Sequence, residues 1–306
     1  MGSLSPLVFD IYSFELCMLM AKSSTLVVIP EHLSAFPASI LKILEEHKVT
    51  FLFWVPTIMV NIANMDLLSS IQLPALKTVW FAGEVFPTKQ FNYWRKMLPQ
   101  TTFANLYGPI EITLDCTCFI VNREIKDEES IPIGFPCRNT DILILDADNK
   151  LVTEAGKEGE LCVRGTSLAM GYYNNPEKTA SAFVQNPLNH AYPETIYRTG
   201  DVVVINERGE IVFKGRKDTL IKHMGYRTEL GEIEHIIINK LKLVKNGCVV
   251  YNFSKKEEIT PAEFRKRIGQ ELPKYMLPTV YHHLDELRRN TNGKIDRLFY
   301  NNQVNG

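Results

Sequence analysis

Apolar and polar positions follow two rhythms along the first 130 residues. Short, largely apolar runs cover 26–29, 49–54 and 77–82. Each is followed by a stretch, over 37–47, 59–68 and 89–98, in which apolar residues return every three or four positions. Runs of the first kind predict buried strands, and the 3.6-residue return predicts amphipathic helices. Strand–helix alternation implies an α/β fold, a largely parallel sheet with flanking helices. Active sites in such sheets lie beyond the carboxyl ends of the strands. Those ends here are Val55-Pro56-Thr57, Gly83-Glu84 and Leu106-Tyr107-Gly108.

From about residue 131 the pattern changes. Short β-rich runs over 141–145, 160–163, 202–205 and 211–214 are separated by turn pairs such as Asp148-Asn149 and Arg208-Gly209. They predict a small antiparallel β-barrel or sandwich. A third unit follows Gly215-Arg216-Lys217-Asp218, with a helix expected over 230–240, a strand over 247–253 and a helix over 261–271. The expected organisation is a partial α/β core over 1–130, a β-barrel subdomain over 131–216 and a small C-terminal α+β domain over 217–306.

Composition narrows the function. With 306 residues, 45% hydrophobic and 23% charged, the chain has the balance of a globular protein. A net charge of −1 gives no ground for a nucleic-acid groove or an acidic lipid surface. The longest apolar run, over 49–60, carries Pro56 and is too short to span a membrane. The opening Met1-Gly2-Ser3-Leu4-Ser5-Pro6 lacks the basic flank and apolar stretch of a signal peptide, so a cytoplasmic location is expected. Six cysteines show no framework spacing and are expected as reduced, mostly buried thiols. Cys116 and Cys118 would share one strand face, but no further metal ligands stand beside them. Seven histidines show no ligand or base spacing.

Eight segments carry the chemistry. In chain order they are Phe9-Asp10, Asn105-Leu106-Tyr107-Gly108-Pro109-Ile110-Glu111, Gly159-Glu160-Leu161 through Gly171-Tyr172, and Tyr197-Arg198-Thr199-Gly200-Asp201. Then come Gly215-Arg216-Lys217-Asp218 through Gly225-Tyr226-Arg227, Glu229-Leu230-Gly231-Glu232, Leu272-Pro273-Lys274-Tyr275-Met276 and Asn292-Gly293-Lys294-Ile295-Asp296. Together, in this order, the chain resembles the adenylation domains of nonribosomal peptide synthetases and the related D-alanine–carrier-protein ligases, over essentially its whole length. Single segments of this kind are weak evidence; eight in order are strong.

The resemblance implies ATP- and Mg²⁺-dependent activation of an amino acid as its adenylate, then transfer to the phosphopantetheine thiol of a carrier protein. Joining a carboxylate to an α-phosphate brings two anions together, so positioning and cationic clamps carry the catalysis. By resemblance Lys294 is that clamp, Glu111 the Mg²⁺ carboxylate, and Asp201 with Arg216 the ribose site. Tyr107 offers a ring to adenine, and Asn105 and Gly108 lie beside the base. Asp218 is the hinge of the C-terminal unit. Asp10 would pair with the substrate's α-ammonium, in a pocket lined by Ile11, Phe14, Phe53, Trp80, Ala82, Leu106, Leu114 and Asp115. The bulk of Trp80 and Phe53 favours a small substrate such as alanine, and Asp115 could instead reach a basic side chain.

Plainer readings stand beside these. Asp10 could cap a helix, Asp201 a turn, and Glu111 could answer a helix dipole. Asp218 could pair with Arg216 or Lys217, and Lys294 could be a solvated lysine. The family's glycine-rich phosphate loop would precede Phe9 and is not in the sequence; Ser23-Ser24-Thr25 has no glycine to form an amide nest. A partial form of the enzyme is therefore expected, with its own activity in doubt. Ile110 stands where the family has threonine, and the short 254–258 stretch implies a reduced sheet or a missing segment. Two rival functions remain: an acyl-CoA synthetase, against which Asp10 argues, and a catalytically silent module binding nucleotide or carrier protein.

Overall fold

Phe51 to Trp54 contains no polar residue, and Leu52, Phe53 and Trp54 are buried. A strand of that kind must lie between two covered faces. The computed structural model describes residues 1–217 and, beyond them, 220–223, 226–229, 233, 244–248, 252–255, 260–273, 276–278, 282–283, 288 and 299. By its contacts the chain divides into two units, Met1–Asp218 and Thr219–Gly306.

In the first unit a seven-stranded sheet is built from β1 (Gly2–Ser3), β2 (Val27–Val28), β3 (Phe51–Trp54), β4 (Thr78–Phe81), β5 (Thr102–Tyr107), β6 (Thr117–Ile120) and β7 (Phe135–Pro136). The order is β2-β1-β3-β4-β5-β6-β7. The first five strands run parallel, whereas β6 and β7 are antiparallel to their neighbours. The expected largely parallel sheet is thus mixed. The link from β5 to β6 holds only the short 3₁₀ turn Ile110–Ile112, too little for a parallel crossover.

Helices α1 (Asp10–Lys22), α2 (Pro37–Glu46), α3 (Pro56–Asn64) and α4 (Thr88–Met97) accompany this sheet. Leu41 and Leu44 of α2, Met59 and Ile62 of α3, and Phe91 and Trp94 of α4 form one core with Leu52, Val79, Phe81 and Phe103. Two buried indole N–H groups find carbonyls in it: Trp94 donates to Met59 at 2.9 Å and Trp54 to Gly2 at 2.9 Å. Helix α3 starts at Pro56, earlier than the apolar return predicts, because proline fits the first helical position. It stops before Asp66, whose φ of 49° is left-handed.

Sequence pattern gave no sign of β1. Gly2 is required there by packing, since a Cβ would stand 2.8 Å from Leu44 Cδ2. Helix α1 also lacks an amphipathic stripe, and its buried residues are Ile11 and, unusually, Glu15. The Ser3 hydroxyl donates to Glu15 Oε2 at 2.5 Å. Burial raises the Glu15 carboxyl from 4.5 to about 7, against the lowering effects of Ser3 and the terminal ammonium. Its native pKa exceeds its unfolded one, so the native state holds the extra proton between these values. Stability is then greatest below about pH 4.5 as far as this group is concerned, and falls until about pH 7. The loss is about 3 kcal/mol. Thermal unfolding at pH 5 and pH 8 should show this slope in the wild type and a flatter one in Glu15→Gln; equal slopes would refute the buried-acid reading.

The second sheet of this unit holds β8 (Thr140–Leu145), β9 (Glu158–Gly165), β10 (Phe183–Gln185), β11 (Thr195–Ile205) and β12 (Ile211–Arg216), with α5 (Pro176–Ala182) before β10. All its pairings are antiparallel. The strand expected over 202–205 is the far half of the 11-residue β11. A second core joins the two sheets through Tyr107, Ile112, Cys116 and Ile133 on one side and Leu161, Val163, Tyr197 and Val203 on the other. Arg123 adds a polar brace, reaching Glu129 at 2.6 Å and the buried Glu210 at 2.9 Å.

In the second unit Leu220–His223 pairs antiparallel with Tyr226–Glu229. Val244–Cys248 pairs antiparallel with Asn252–Lys255, which pairs in parallel with His282–His283. The single strand expected over 247–253 is therefore two. Helix Pro261–Ile268 is capped by Thr260, whose hydroxyl accepts the Glu263 N–H at 3.3 Å. Of the helix expected over 230–240 only Ile233 is described, and it is helical and buried. Among the described residues no helix is long and apolar enough to cross a membrane.

Candidate functional site

The three carboxyl-end segments meet on one rim of the first sheet. Thr57, in the first turn of α3, donates its N–H (3.2 Å) and its hydroxyl (2.5 Å) to Glu84 Oε2 beyond β4. Asn105 and Tyr107 end β5, and Gly108 follows. The backbone of Leu114 and Asp115 crosses so close to Gly108 that a Cβ would lie 2.3 Å from the Leu114 carbonyl oxygen. Thr113 and Leu114 both take left-handed φ values, 62° and 79°. Such strain in consecutive non-glycine residues concentrates at functional sites.

Asp201 is the centre of the polar half. Opposite β9, the register of β11 shifts between Arg198 and Val202, and Gly200 takes a φ of 72°. Thr199-Gly200, which read locally is a turn that Asp201 could cap, is thus a bulge inside a continuous strand, a device that re-aims a side chain. Asp201 is 3% exposed. Arg216, its cross-strand partner on β12, donates to Oδ1 at 2.5 Å, and the Tyr107 hydroxyl donates to Oδ2. Thr199 Oγ1 accepts the Asp201 N–H at 2.9 Å and donates to the Leu161 carbonyl at 2.7 Å. Burial, then the charge of Asp201, pushes the Tyr107 phenol well above its usual range, so it stays a neutral donor. Little of its ring is exposed, and Asn105 spends an amide N–H on the Pro132 carbonyl at 2.8 Å.

The bulge has an anchor that motif reading left without a role. Buried Glu160 on β9 accepts the Gly200 N–H at 3.1 Å, Arg198 at 2.7 Å and Lys217 at 3.3 Å. These partners lie about forty or more positions away in sequence, and spacing alone could not have paired them.

Glu111 lies in the 3₁₀ turn after β5 and is 6% exposed. The Tyr172 hydroxyl donates to its Oε1 at 2.7 Å. Burial, together with Tyr197 and Glu111, drives the Tyr172 phenol far above its usual range. Among the described residues no three His, Cys, Asp or Glu side chains gather to hold a metal by themselves. One buried carboxylate suits Mg²⁺, which binds one or two carboxylates and fills its remaining positions with phosphate oxygens and water.

Beside this polar set lies an apolar cluster. Buried Ile11, Phe53, Ala82, Ala104 and Leu106 pack with Phe14, Phe51, Val55, Trp80, Leu114 and Cys118. Seven of the pocket residues expected from the sequence, Ile11, Phe14, Phe53, Trp80, Ala82, Leu106 and Leu114, are in it. Phe14 is 5.5 Å from Phe53 and 5.4 Å from Trp80 between ring centroids, and Phe53 is 5.8 Å from Trp80. Asp10 and Asp115 are chain neighbours of cluster members Ile11 and Leu114. Phe9 is the N-cap of α1; Asp10 takes the first helical position and accepts the Ile11 N–H at 2.9 Å. Cys118 is a cluster member that the sequence did not suggest. Lys294 and Asp218 lie outside the described residues.

The described cysteines Cys17, Cys116, Cys118, Cys137 and Cys162 are free thiols. Burial, with nearby Asp115, raises Cys116 and Cys118, and burial raises Cys137 to about 11. At neutral pH these three are protonated and poor nucleophiles.

The family model "AMP-binding enzyme" matches residues 1–173. The chain is 32% identical over 300 residues to tyrocidine synthase 3 of Brevibacillus parabrevis, covering 94% of this chain and 4% of that protein. It is 30% identical over 309 residues to zwittermicin A synthase ZmaJ of Bacillus cereus, covering 96% of this chain and 58% of that protein. Among solved structures, the Vibrio cholerae adenylation domain AlmE in complex with glycyl-adenosine-5'-phosphate superimposes with a TM-score of 0.84 at 25% identity, covering 99% of this chain and 58% of that one. IdnL1 superimposes with a TM-score of 0.83 at 28% identity, covering 94% and 60%. The chain thus spans a small part to somewhat over half of the length of the curated relatives it matches. With the family model matched over more than half its length, this chain belongs to the AMP-binding enzyme family.

Proposed function

We propose that this chain carries the site at which an amino acid is activated by ATP as aminoacyl-adenylate, for transfer to the phosphopantetheine thiol of a carrier protein. The observation that carries this reading is the apolar cluster of Ile11, Phe14, Phe53, Trp80, Ala82, Leu106 and Leu114 on the same rim as Asp201 and Glu111. Apolar side chains beside a few convergent polar groups are the usual lining of a small-molecule site.

Asp201, held by Arg216 and Tyr107, accepts the ribose hydroxyls; a carboxylate has about four lone-pair sites, so two protein donors leave capacity. Asn105 and Gly108 border the base. Glu111 holds Mg²⁺, which when bound neutralises charge on the phosphates. Lys294 clamps the substrate carboxylate and α-phosphate while a carboxylate oxygen bonds phosphorus and pyrophosphate leaves. In the second step the carrier thiolate bonds the acyl carbon and AMP leaves. Asp218 serves as hinge between a large part, 1–216, and a mobile 217–306 unit, a reading supported by the contact boundary at 218. Asp10 meets the α-ammonium, and the aromatic packing of Phe14, Phe53 and Trp80 leaves room for a small side chain such as that of alanine.

Calorimetry with sulfamoyladenosine analogues, which carry acyl group and adenosine in one molecule, tests this. Alanyl-sulfamoyladenosine should bind at least tenfold more tightly than its propionyl counterpart. Equal affinities would favour an acyl-CoA synthetase, and no binding of either would leave only a silent module.

A further inference from the structure

Glu111 does not stand on its own turn alone. A strap from the second sheet, Ser167 to Tyr172, is fastened to it at three points. The Ala169 N–H donates to the Glu111 carbonyl at 2.8 Å, Thr113 Oγ1 donates to the Ser167 carbonyl at 2.9 Å, and the Tyr172 hydroxyl donates to Glu111 Oε1 at 2.7 Å. The strap is fixed in turn. The Tyr172 N–H donates to Thr179 Oγ1 at 2.9 Å. Gly171, with a φ of +134°, lies so near that a Cβ would be 2.5 Å from Thr179 Cγ2. The Tyr172 ring meets Phe183 edge-on at 5.9 Å, and the Lys178 ammonium stands 5.0 Å from its centroid. A ring held on its backbone, edge and face has little freedom to turn its hydroxyl elsewhere.

We propose that Tyr172 is the positioning residue for Glu111, holding that carboxylate in the orientation in which it receives a phosphate-bound divalent cation. The inference rests on the role of Glu111 given above. A phenol donating to one carboxylate oxygen fixes the carboxylate plane, and a carboxylate held in one plane is the hard oxygen ligand that a divalent cation takes. Groups that orient metal ligands in this way typically carry about 10–100-fold in metal affinity.

The test compares binding of a nonhydrolysable ATP analogue by calorimetry in excess Mg²⁺ and in EDTA, for wild type, Tyr172→Phe, Glu111→Gln and the double variant. Phenylalanine keeps the ring packing and removes only the hydroxyl, so the melting temperature should fall by no more than several degrees and the fold should persist. Tyr172→Phe should lose about tenfold of the Mg²⁺-promoted affinity and none of the affinity in EDTA. The double variant should be no worse than Glu111→Gln, because the two residues act as one unit. Unchanged Mg²⁺ dependence in Tyr172→Phe, or equal loss with and without Mg²⁺, would overturn the inference while leaving the site reading intact. Failure of wild type to bind either this analogue or alanyl-sulfamoyladenosine would overturn both.

Discussion

Replacing Asp201 by alanine is expected to cost the Met1–Asp218 unit about 3–5 kcal/mol of stability and to abolish adenosine binding. The reason lies in what surrounds the carboxylate. Arg216 and Tyr107 both donate to it, and neither has much solvent: the Arg216 side chain is 12% exposed and Tyr107 is 7% exposed. Without Asp201 a largely buried guanidinium and a phenol lose their acceptor together, which costs far more than one ordinary hydrogen bond. The ribose loses its acceptor at the same time. Asp201→Asn separates the two effects. It keeps the volume but offers one oxygen and an NH₂ that faces a donor, so binding should fall more than stability. Denaturant titration and calorimetry with adenosine analogues read the two quantities. Less than about 1 kcal/mol lost in Asp201→Ala would mean the pair with Arg216 is effectively solvated. Intact adenosine binding in both variants would remove Asp201 from the site.

The parts of this fold that were legible in the sequence are those written in local pattern. Short, largely apolar runs marked β3 and β4, and the three-to-four return marked α2 and α4, because a core facing one or two surfaces demands those periods. Two elements left no such mark. Gly2 and Ser3 form β1 because a backbone ribbon without bulk fits between Leu44, Leu52 and Val49, and no hydrophobic pattern encodes that. Helix α1 has apolar residues around its whole circumference, so no stripe could be counted. Thr199-Gly200 was read as a turn because the glycine is locally what a turn needs; only pairing with β9 and β12 makes it a bulge. The candidate site shows the same division. Resemblance named seven apolar residues from positions 11 to 114 that pack in one cluster. It gave no role to Glu160, Tyr172 or Thr57, whose partners are set by sheet packing and not by spacing.

Asp10 and Trp80 govern the last expectation, which concerns what the pocket accepts. Asp10 begins α1, and its Oδ1 accepts the Ile11 N–H at 2.9 Å, so the helix terminus holds the carboxylate in place. Cluster members Ile11 and Phe14 follow on the same helix. An ammonium entering this apolar surround gives up water and needs a fixed counter-charge. Truncating one side of such a pair costs about 3–5 kcal/mol, so Asp10→Asn should weaken alanyl-sulfamoyladenosine binding by about 10²-fold or more. Its effect on the propionyl analogue should be slight, since that ligand has no ammonium to lose. Trp80 acts separately, through volume. Its ring meets Phe14, Phe51 and Phe53 at 5.4, 5.2 and 5.8 Å. Trp80→Ala opens that floor, and leucyl- and phenylalanyl-sulfamoyladenosine should gain on the alanyl analogue by about tenfold, the value of one or two buried methylenes. The two effects should add, because charge pairing and cavity size are independent. If Asp10→Asn weakened the alanyl and propionyl analogues alike, Asp10 would be only a helix-terminal acid. If wild type preferred arginyl- or lysyl-sulfamoyladenosine, the small pocket would be wrong and Asp115, next to Leu114 in the strained turn, would become the residue that selects the substrate.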